Sequence, residues 1–359
     1  MTPDLPYWIA LNEYYKFGPR AMGRLYDFFD SMESAFNAGL SDLLKAGIPQ
    51  NIAEGFVHLR SEIDPDALMS ALERQNVDVW TINDETFPPL LKTIYDPPPV
   101  LFVRGKLPSA EYAHLAVVGS RAATDYGLQM TRSLISDIAE AGVVIVSGLA
   151  FGIDEAAHMA TVKAGGVTVA VIASGIFKLT SRQHYLADRI IATGGAMVSE
   201  FPLKMQSLRH NFPFRNRVIS GMSHGTLVME ATVKSGSLIT ARAALEQGRD
   251  VFALPGPIHY PTSAGTNNLL KMGAHVATCA ADILDILKVE HVRKKALPPP
   301  KPDSKEEALI LDYLSKTPIH IDELTRATQL EPTKVASTLS LMEMKGRARQ
   351  IGGMYYILV

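Results

Sequence analysis

The sequence predicts an α/β protein built on a mostly parallel sheet, preceded by a small helical region and followed by a winged helix. Three observations carry that prediction. Between Leu115 and Leu287, short runs rich in valine and isoleucine alternate with stretches of helical periodicity. That is the pattern of strands buried on both faces by crossover helices. Before this region apolar residues recur at helical spacing between turn residues. After it, a proline-rich stretch leads into further helical periods and a terminal Gly-Gly hairpin signal.

The elements follow in order. Residues 1–75 read as short helices. Within Arg20–Phe29, Met22, Leu25 and Phe28/Phe29 share one helical face, and turns at Gly18-Pro19, Gly39 and Gly47-Ile48-Pro49 separate neighbouring helices. The central domain is assigned to residues 76–290. Its entry, Asp84–Gly105, is punctuated by prolines and reads as an extended strap. Strands are expected at Leu115–Val118, Val143–Ser147, Val167–Ala173, Ala196–Ser199, Thr226–Met229 and Asp250–Ala253. Helices such as Tyr126–Glu140 and Leu238–Gln247 lie between them, and Gly142 and Gly248 stand where helix ends need a left-handed residue. Residues 291–304, with Pro298, Pro299, Pro300 and Pro302 among basic residues, read as an extended linker. Residues 305–359 then give three helices and a hairpin through Gly352-Gly353, a winged helix.

Composition narrows the function. A chain of 359 residues, 47% hydrophobic and 20% charged, is globular rather than disordered. Its net charge of −2 means that affinity for an anionic polymer must come from a local patch. One cysteine, Cys279, excludes a disulfide framework and a cysteine-rich zinc site within the chain. No run of 18 apolar residues argues for a membrane span, and the start around Asp4 does not read as a signal peptide, so a cytoplasmic protein is expected.

Four segments could carry chemistry. In "LAVVGSRAATDYG" a buried strand ends at Gly119, Ser120 and Arg121 just before a helix. Such a turn aims backbone N–H groups at an anion; Gly119 would let the backbone approach it and Arg121 would grip a phosphate. The plain alternative is an ordinary strand-to-helix turn with Arg121 in a surface ion pair. There is no G-x-G-x-x-G and no acidic residue ending the next strand, so dinucleotide binding is weakly supported. In "VSGLAFGIDEAAH" a second strand runs into Gly148 and Gly152. Asp154 and His158 have metal-binding spacing there but lack a third ligand, so a capping Asp and an ordinary helical His are the better assignment.

The third segment is the most informative. No acidic residue occurs from Phe201 to Met229, and "RHNFPFRNR" interleaves Arg209, Arg215 and Arg217 with Phe212 and Phe214. Guanidinium groups neutralise phosphates and aromatic faces stack unpaired bases, the combination that single-strand binding needs. The alternative places one phenylalanine in the core and pairs arginines with Glu200 or Glu230. In the fourth, Lys234, Ser235, Gly236 and Ser237 precede a helix and offer a second phosphate site, or a plain N-cap beside a solvated lysine. No P-loop, H-E-x-x-H or G-x-S-x-G motif occurs. Glu230, with Gly225 and Thr226, leaves open an enzyme, a nucleotide phosphoribohydrolase on the same kind of sheet. The closing segment of the winged helix, with Lys334, Lys345, Arg347 and Arg349, leaves duplex binding and protein contact both open.

Taken together, "VVGSR", "SGLAFGIDEAAH", "NFPFRNRVISGMS", "EATVKSGSLITARAALEQGRDVFALPG" and "GTNNLLKMGA", in that order, resemble the DNA-processing A family (DprA, or Smf). The resemblance implies an extended Rossmann-like domain, with a SAM-like helical domain at residues 1–75 and the winged helix at the other end. It implies binding of single-stranded DNA without catalysis, metal or cofactor, protection of incoming strands in natural transformation, and loading of the RecA recombinase. A homodimer through the Rossmann-like domain is implied as well. The carried-over pocket uses Gly119, Ser120 and Arg121, then Phe212, Arg215 and Arg217, then Lys234, Ser235, Gly236 and Ser237; Gly148 at the second strand end joins the DNA-binding set. Two departures stand out. Phe151 occupies a position that is usually basic in the family, and "IFKLTSRQH" after Gly175 lacks the usual acidic residue and Tyr-Pro pair, with Lys178 or Arg182 as candidate replacements.

Overall fold

A computed structural model describes residues 4–289, 302–315, 318–345 and 347–358. The chain divides into two compact units, 1–291 and 292–359. In the first, the described residues form a nine-stranded sheet from β1 (Val77–Thr81), β2 (Val100–Gly105), β3 (His114–Val118), β4 (Val144–Ser147), β5 (Thr168–Val171), β6 (Ala196–Ser199), β7 (Gly225–Val228), β8 (Asp250–Ala253) and β9 (His275–Val276). Its order is β1-β2-β6-β5-β4-β3-β7-β8-β9. All neighbouring pairs from β6 to β9 are parallel, while β1 and β2 are antiparallel additions at one edge. The chain therefore winds from β3 outwards to β6, then returns to place β7 on the other side of β3. This is a Rossmann-like switch point, with a crevice beyond the carboxyl ends of β3 and β7.

The expected parallel strands all form, because their apolar runs are buried on both faces: every residue of β3, β4 and β5 is buried. Gly142 and Gly248 adopt φ of 87° and 70° at the helix ends. The strap is the main correction. Asp84–Gly105 holds a short helix, Pro89–Lys92, and then β2, which pairs with β1 and β6. Pro97, Pro98 and Pro99 precede that strand rather than interrupt it, so its backbone donors remain free to pair.

Helices of residues 5–74 bury Trp8, Met22, Leu25, Met32 and Phe56 and share one core with Val100, Phe102, Ala170 and Met197 of the sheet. Phe28 does not join the buried face of its helix; it is exposed, and Phe29 is only partly buried. Leu203 N–H donates to Glu13 (2.7 Å), a further tie between helices and sheet.

The second unit holds helices Lys305–Tyr313, Ile321–Thr328 and Pro332–Met344 and the strands β10 (Ile319–His320), β11 (Ala348–Gln350) and β12 (Tyr355–Leu358), a winged helix. The turn between β11 and β12 uses positive φ at Gly352 and Gly353, as its sequence requires. Of the stretch assigned to the linker, residues 291–301 lie outside the described residues. Among the described residues no helix is long and apolar enough to cross a membrane.

One buried carboxylate ties the switch point together. Glu230, at the end of β7, accepts from the N–H (2.9 Å) and the hydroxyl (2.6 Å) of Thr124, whose side chain in turn caps helix Asp125–Glu140 through the Gly127 N–H (3.1 Å). A Cβ on Gly127 would lie 2.3 Å from the Glu230 carboxyl carbon, so only glycine admits this anchor. Thr124→Ala removes both the cap and a donor to a buried carboxylate. It is expected to lower the unfolding free energy by about 1–3 kcal/mol, read by urea denaturation.

Candidate nucleic-acid interface

A cleft of ≈ 390 Å³ lies at the switch point, lined by Gly119, Ser120 and Arg121 after β3, by Ser235, Gly236 and Ser237 after β7, and by Phe212 and Arg215. All four sequence segments thus converge, the second through Ala150 and Asp154. Each brings a different chemistry. The helix Ser237–Glu246 opens onto the cleft with its N-terminus, where Ser235 Oγ contacts Ser237 Oγ (2.7 Å) and accepts from Ser237 N–H (3.4 Å). The positive end of the helix dipole and a hydroxyl pair at one spot favour an anion. Lys234 is exposed and outside the lining of this cleft.

The glycines act through packing. A Cβ on Gly119 would lie 2.5 Å from Ile153 Cγ1, so this residue admits helix Ile153–Lys163 rather than a ligand. A Cβ on Gly148 would strike the Arg215 guanidinium at 2.4 Å; this position seats the arginine. Both residues line a cavity, Gly119 the switch-point cleft and Gly148 its neighbour, but their lack of a side chain serves the scaffold.

Arg215 lies on helix Asn211–Gly221 and is 4% exposed. Its Nη1 donates to the carbonyls of Gly148 (2.5 Å) and Val171 (2.6 Å), and its Nε donates to Asn216 Oδ1 (3.0 Å). Burial lowers its pKa to about 10, against the opposing influence of Asp154. Phe212 lies beside two cations, with the Arg121 guanidinium 4.4 Å and that of Arg215 5.7 Å from its ring centroid. Arg121 is exposed and has no ion pair among the described residues. The result is an aromatic ring contacted by one buried and one exposed cation.

Arg217 does not reach the cleft. Two residues along a helix from Arg215, it points to a different side and pairs with Glu200 and, at 3.2 Å, with Asp96. It was expected among the DNA contacts; a charge buried in an ion pair is not available to a phosphate. Phe214 is exposed and lines a separate cavity beside Arg217. Glu230 likewise makes no bond to either arginine: its partners are Thr124 and Thr262. Its oxygens are therefore occupied in holding the fold.

Asp154 is a cleft residue that its sequence context presents as a helix cap. The first helical residue is Ile153, and Asp154 instead accepts from Gly148 N–H (3.2 Å) while lining the cleft. Burial raises its carboxyl to about 6, partly offset by Arg215. His158, one turn on, is fully buried and bonds to Thr168 Oγ1 (2.7 Å). Thr168 donates its own proton to Ile145 O (2.7 Å), so the histidine donates from Nδ1. Burial lowers its pKa to about 3, and it stays neutral. No group of three or more metal-ligating side chains occurs among the described residues. In the winged helix, Lys345 and Arg347 are paired with Asp303 and Glu307. Two of its four candidate basic contacts are thereby neutralised.

The sheet order, the switch-point cleft and the second unit together define an extended Rossmann-like α/β protein that carries an anion-suited pocket and a winged helix. The chain belongs to the DNA recombination-mediator protein A family, known as DprA or Smf: residues 78–288 match that family and residues 294–354 match the DprA winged helix domain. Protein Smf of Escherichia coli (strain K12) is 48% identical over 60% of this chain, and the match spans 58% of that protein's length. The structure of DNA processing protein A from Streptococcus pneumoniae superposes with a TM-score of 0.66 at 35% identity, covering 78% of this chain and 97% of that one. That from Helicobacter pylori, studied for its single-stranded DNA binding mode, gives 0.52 at 27% identity over 60% of this chain and 97% of its own.

The raised carboxyl of Asp154 has a testable sign. The folded state holds this proton more tightly than the unfolded chain, so the contribution is complete below about pH 4 and is lost as pH rises through about 6. Asp154→Asn keeps an acceptor for Gly148 and removes the ionisation. The variant is expected to gain on the wild type by about 2–3 kcal/mol between pH 4 and pH 7, measured by urea unfolding at both values.

Proposed function

We propose that this chain binds single-stranded DNA in the cleft between the β3 and β7 ends and delivers it to the RecA recombinase, as a homodimer through the Rossmann-like domain. The observation that carries the binding is the Arg121–Phe212–Arg215 cluster at the mouth of a cleft whose far wall is a helix N-terminus. The helix end and Arg121 both favour a phosphate, and the Arg121 plane offers a stacking surface to an unpaired base. A paired base has no free face to offer, so the arrangement favours single strands. The Helicobacter pylori relative's binding of single-stranded DNA supports the same assignment. The recombination-mediator family, to which the chain belongs, supports delivery to a recombinase.

Fluorescence anisotropy with labelled oligo-dT and duplex across a salt series tests the binding. Arg121→Ala is expected to weaken oligo-dT binding about ten-fold and to reduce the slope of log affinity against log salt by about 0.7, the value for one phosphate contact on a single strand. Arg217→Ala leaves a buried carboxylate unpaired. It should cost about 3–5 kcal/mol of stability while the folded protein keeps the wild-type slope. A wild type that binds duplex as well as oligo-dT would overturn the proposal. Delivery is read separately, as faster assembly of RecA on strands already covered by a single-strand-binding protein.

A further inference from the structure

Beside the phosphate-suited cleft lies a second cavity of ≈ 210 Å³. The two share Arg121, Ala150, Phe212 and Arg215 as a common wall. Their other walls differ: the first adds a helix N-terminus with Ser235 and Ser237, and the second adds Leu149, Phe151, Leu186 and Arg182 among polar residues such as Ser174 and Gln183.

We propose that Phe151 and Arg182 form a charge-neutral stacking platform for an unpaired base, and that this platform sets how far bases, rather than phosphates, contribute to strand binding. The proposal rests on the single-strand assignment made above and adds residues to it. Phe151 is 59% exposed, on a turn that gives it little choice of direction. Leu149 and Gly152 on either side adopt φ of 54° and 78°, and a Cβ on Gly152 would meet Ser120 O at 2.3 Å. Ile153 N–H donates to Ser120 O (3.2 Å), pinning this turn against the loop that carries Arg121. An exposed phenylalanine held on a rigid turn beside a cationic cleft is a surface waiting for a flat apolar partner.

Arg182 completes that surface. Its guanidinium carbon lies 5.1 Å from the Phe151 ring centroid. Glu155 grips it through both oxygens, at 2.7 and 2.8 Å from Nη2 and 3.1 Å from Nε. The carboxylate fixes the plane and cancels the charge, so Arg182 does not stand in for the basic residue that the family resemblance leads one to expect at position 151. A guanidinium plane held in this way still stacks on a base. The chain thus replaces a salt-sensitive contact by a salt-insensitive one.

The experiment compares full-length wild type, Phe151→Ala and Arg182→Ala on oligo-dT and on an abasic oligonucleotide of equal length, each across a salt series. Both side chains are on the surface, and circular dichroism checks that each variant is folded. Each variant is expected to lose about five- to ten-fold affinity for oligo-dT, with the salt slope unchanged and abasic binding within about two-fold of wild type. Equal losses on both strands, unchanged oligo-dT affinity, or a slope reduced by about 0.7 in Arg182→Ala would overturn the platform. Those outcomes leave the single-strand assignment standing. A wild type that binds neither strand would overturn that assignment and the platform with it.

Discussion

The site depends on one buried cation. A guanidinium taken out of water costs several kcal/mol unless its donors find partners, and Arg215 finds them in the backbone at the ends of β4 and β5. By bonding Gly148 O and Val171 O it ties two adjacent strand ends at the level where the cleft begins. The rest follows from housing it. Gly148 must lack a side chain, Asn216 must turn an oxygen toward Nε, and His158 nearby must stay neutral. Phe212 then packs beside the arginine, and its ring also receives the Arg121 guanidinium. An exposed side chain is thereby given a preferred place without an ion pair that would neutralise it.

That arrangement shows how a nearly neutral protein can present an anion-suited patch. The three cationic elements of the cleft are Arg121, Arg215 and a helix N-terminus, and only the first is a free surface charge. Arg215 is matched by Asp154, whose carboxyl is itself poised between protonation states. The local field depends on which charges are neutralised and which are left open, and the net count of −2 says nothing about it.

The central sheet was legible in the sequence because strands buried on both faces leave continuous apolar runs. The antiparallel edge was not. β2 sits behind three consecutive prolines, and its neighbour β1, Val77–Thr81, is short and includes the polar Asp78 and Thr81. Each signal is weaker than that of a core strand. At the site, the loops of Arg121 and of Ser235–Ser237 were found because strand-to-helix turns carry a recognisable chemistry. The basic run was misjudged in one respect: Arg215 and Arg217 look like one patch in sequence, yet a helix turns them about 200° apart. One becomes the floor of the cleft and the other a buried ion pair. Asp154 resembled a cap because nothing in the sequence reveals that the helix begins only one residue earlier.

The position of the cleft follows from topology. At the switch point the helices after β3 and β7 depart to opposite faces of the sheet, so their N-termini flank a gap that no crossover fills. Glu230 and Thr124 tie the end of β7 to the start of the helix after β3, and Phe212 lines the cleft. What remains open is a trough between a helix N-terminus and the Arg121 guanidinium. The neighbouring cavity, with Phe151 at its edge, shares that arginine–phenylalanine wall. A polymer that alternates charged links with flat apolar groups matches that partition, because one wall separates the compartment suited to each.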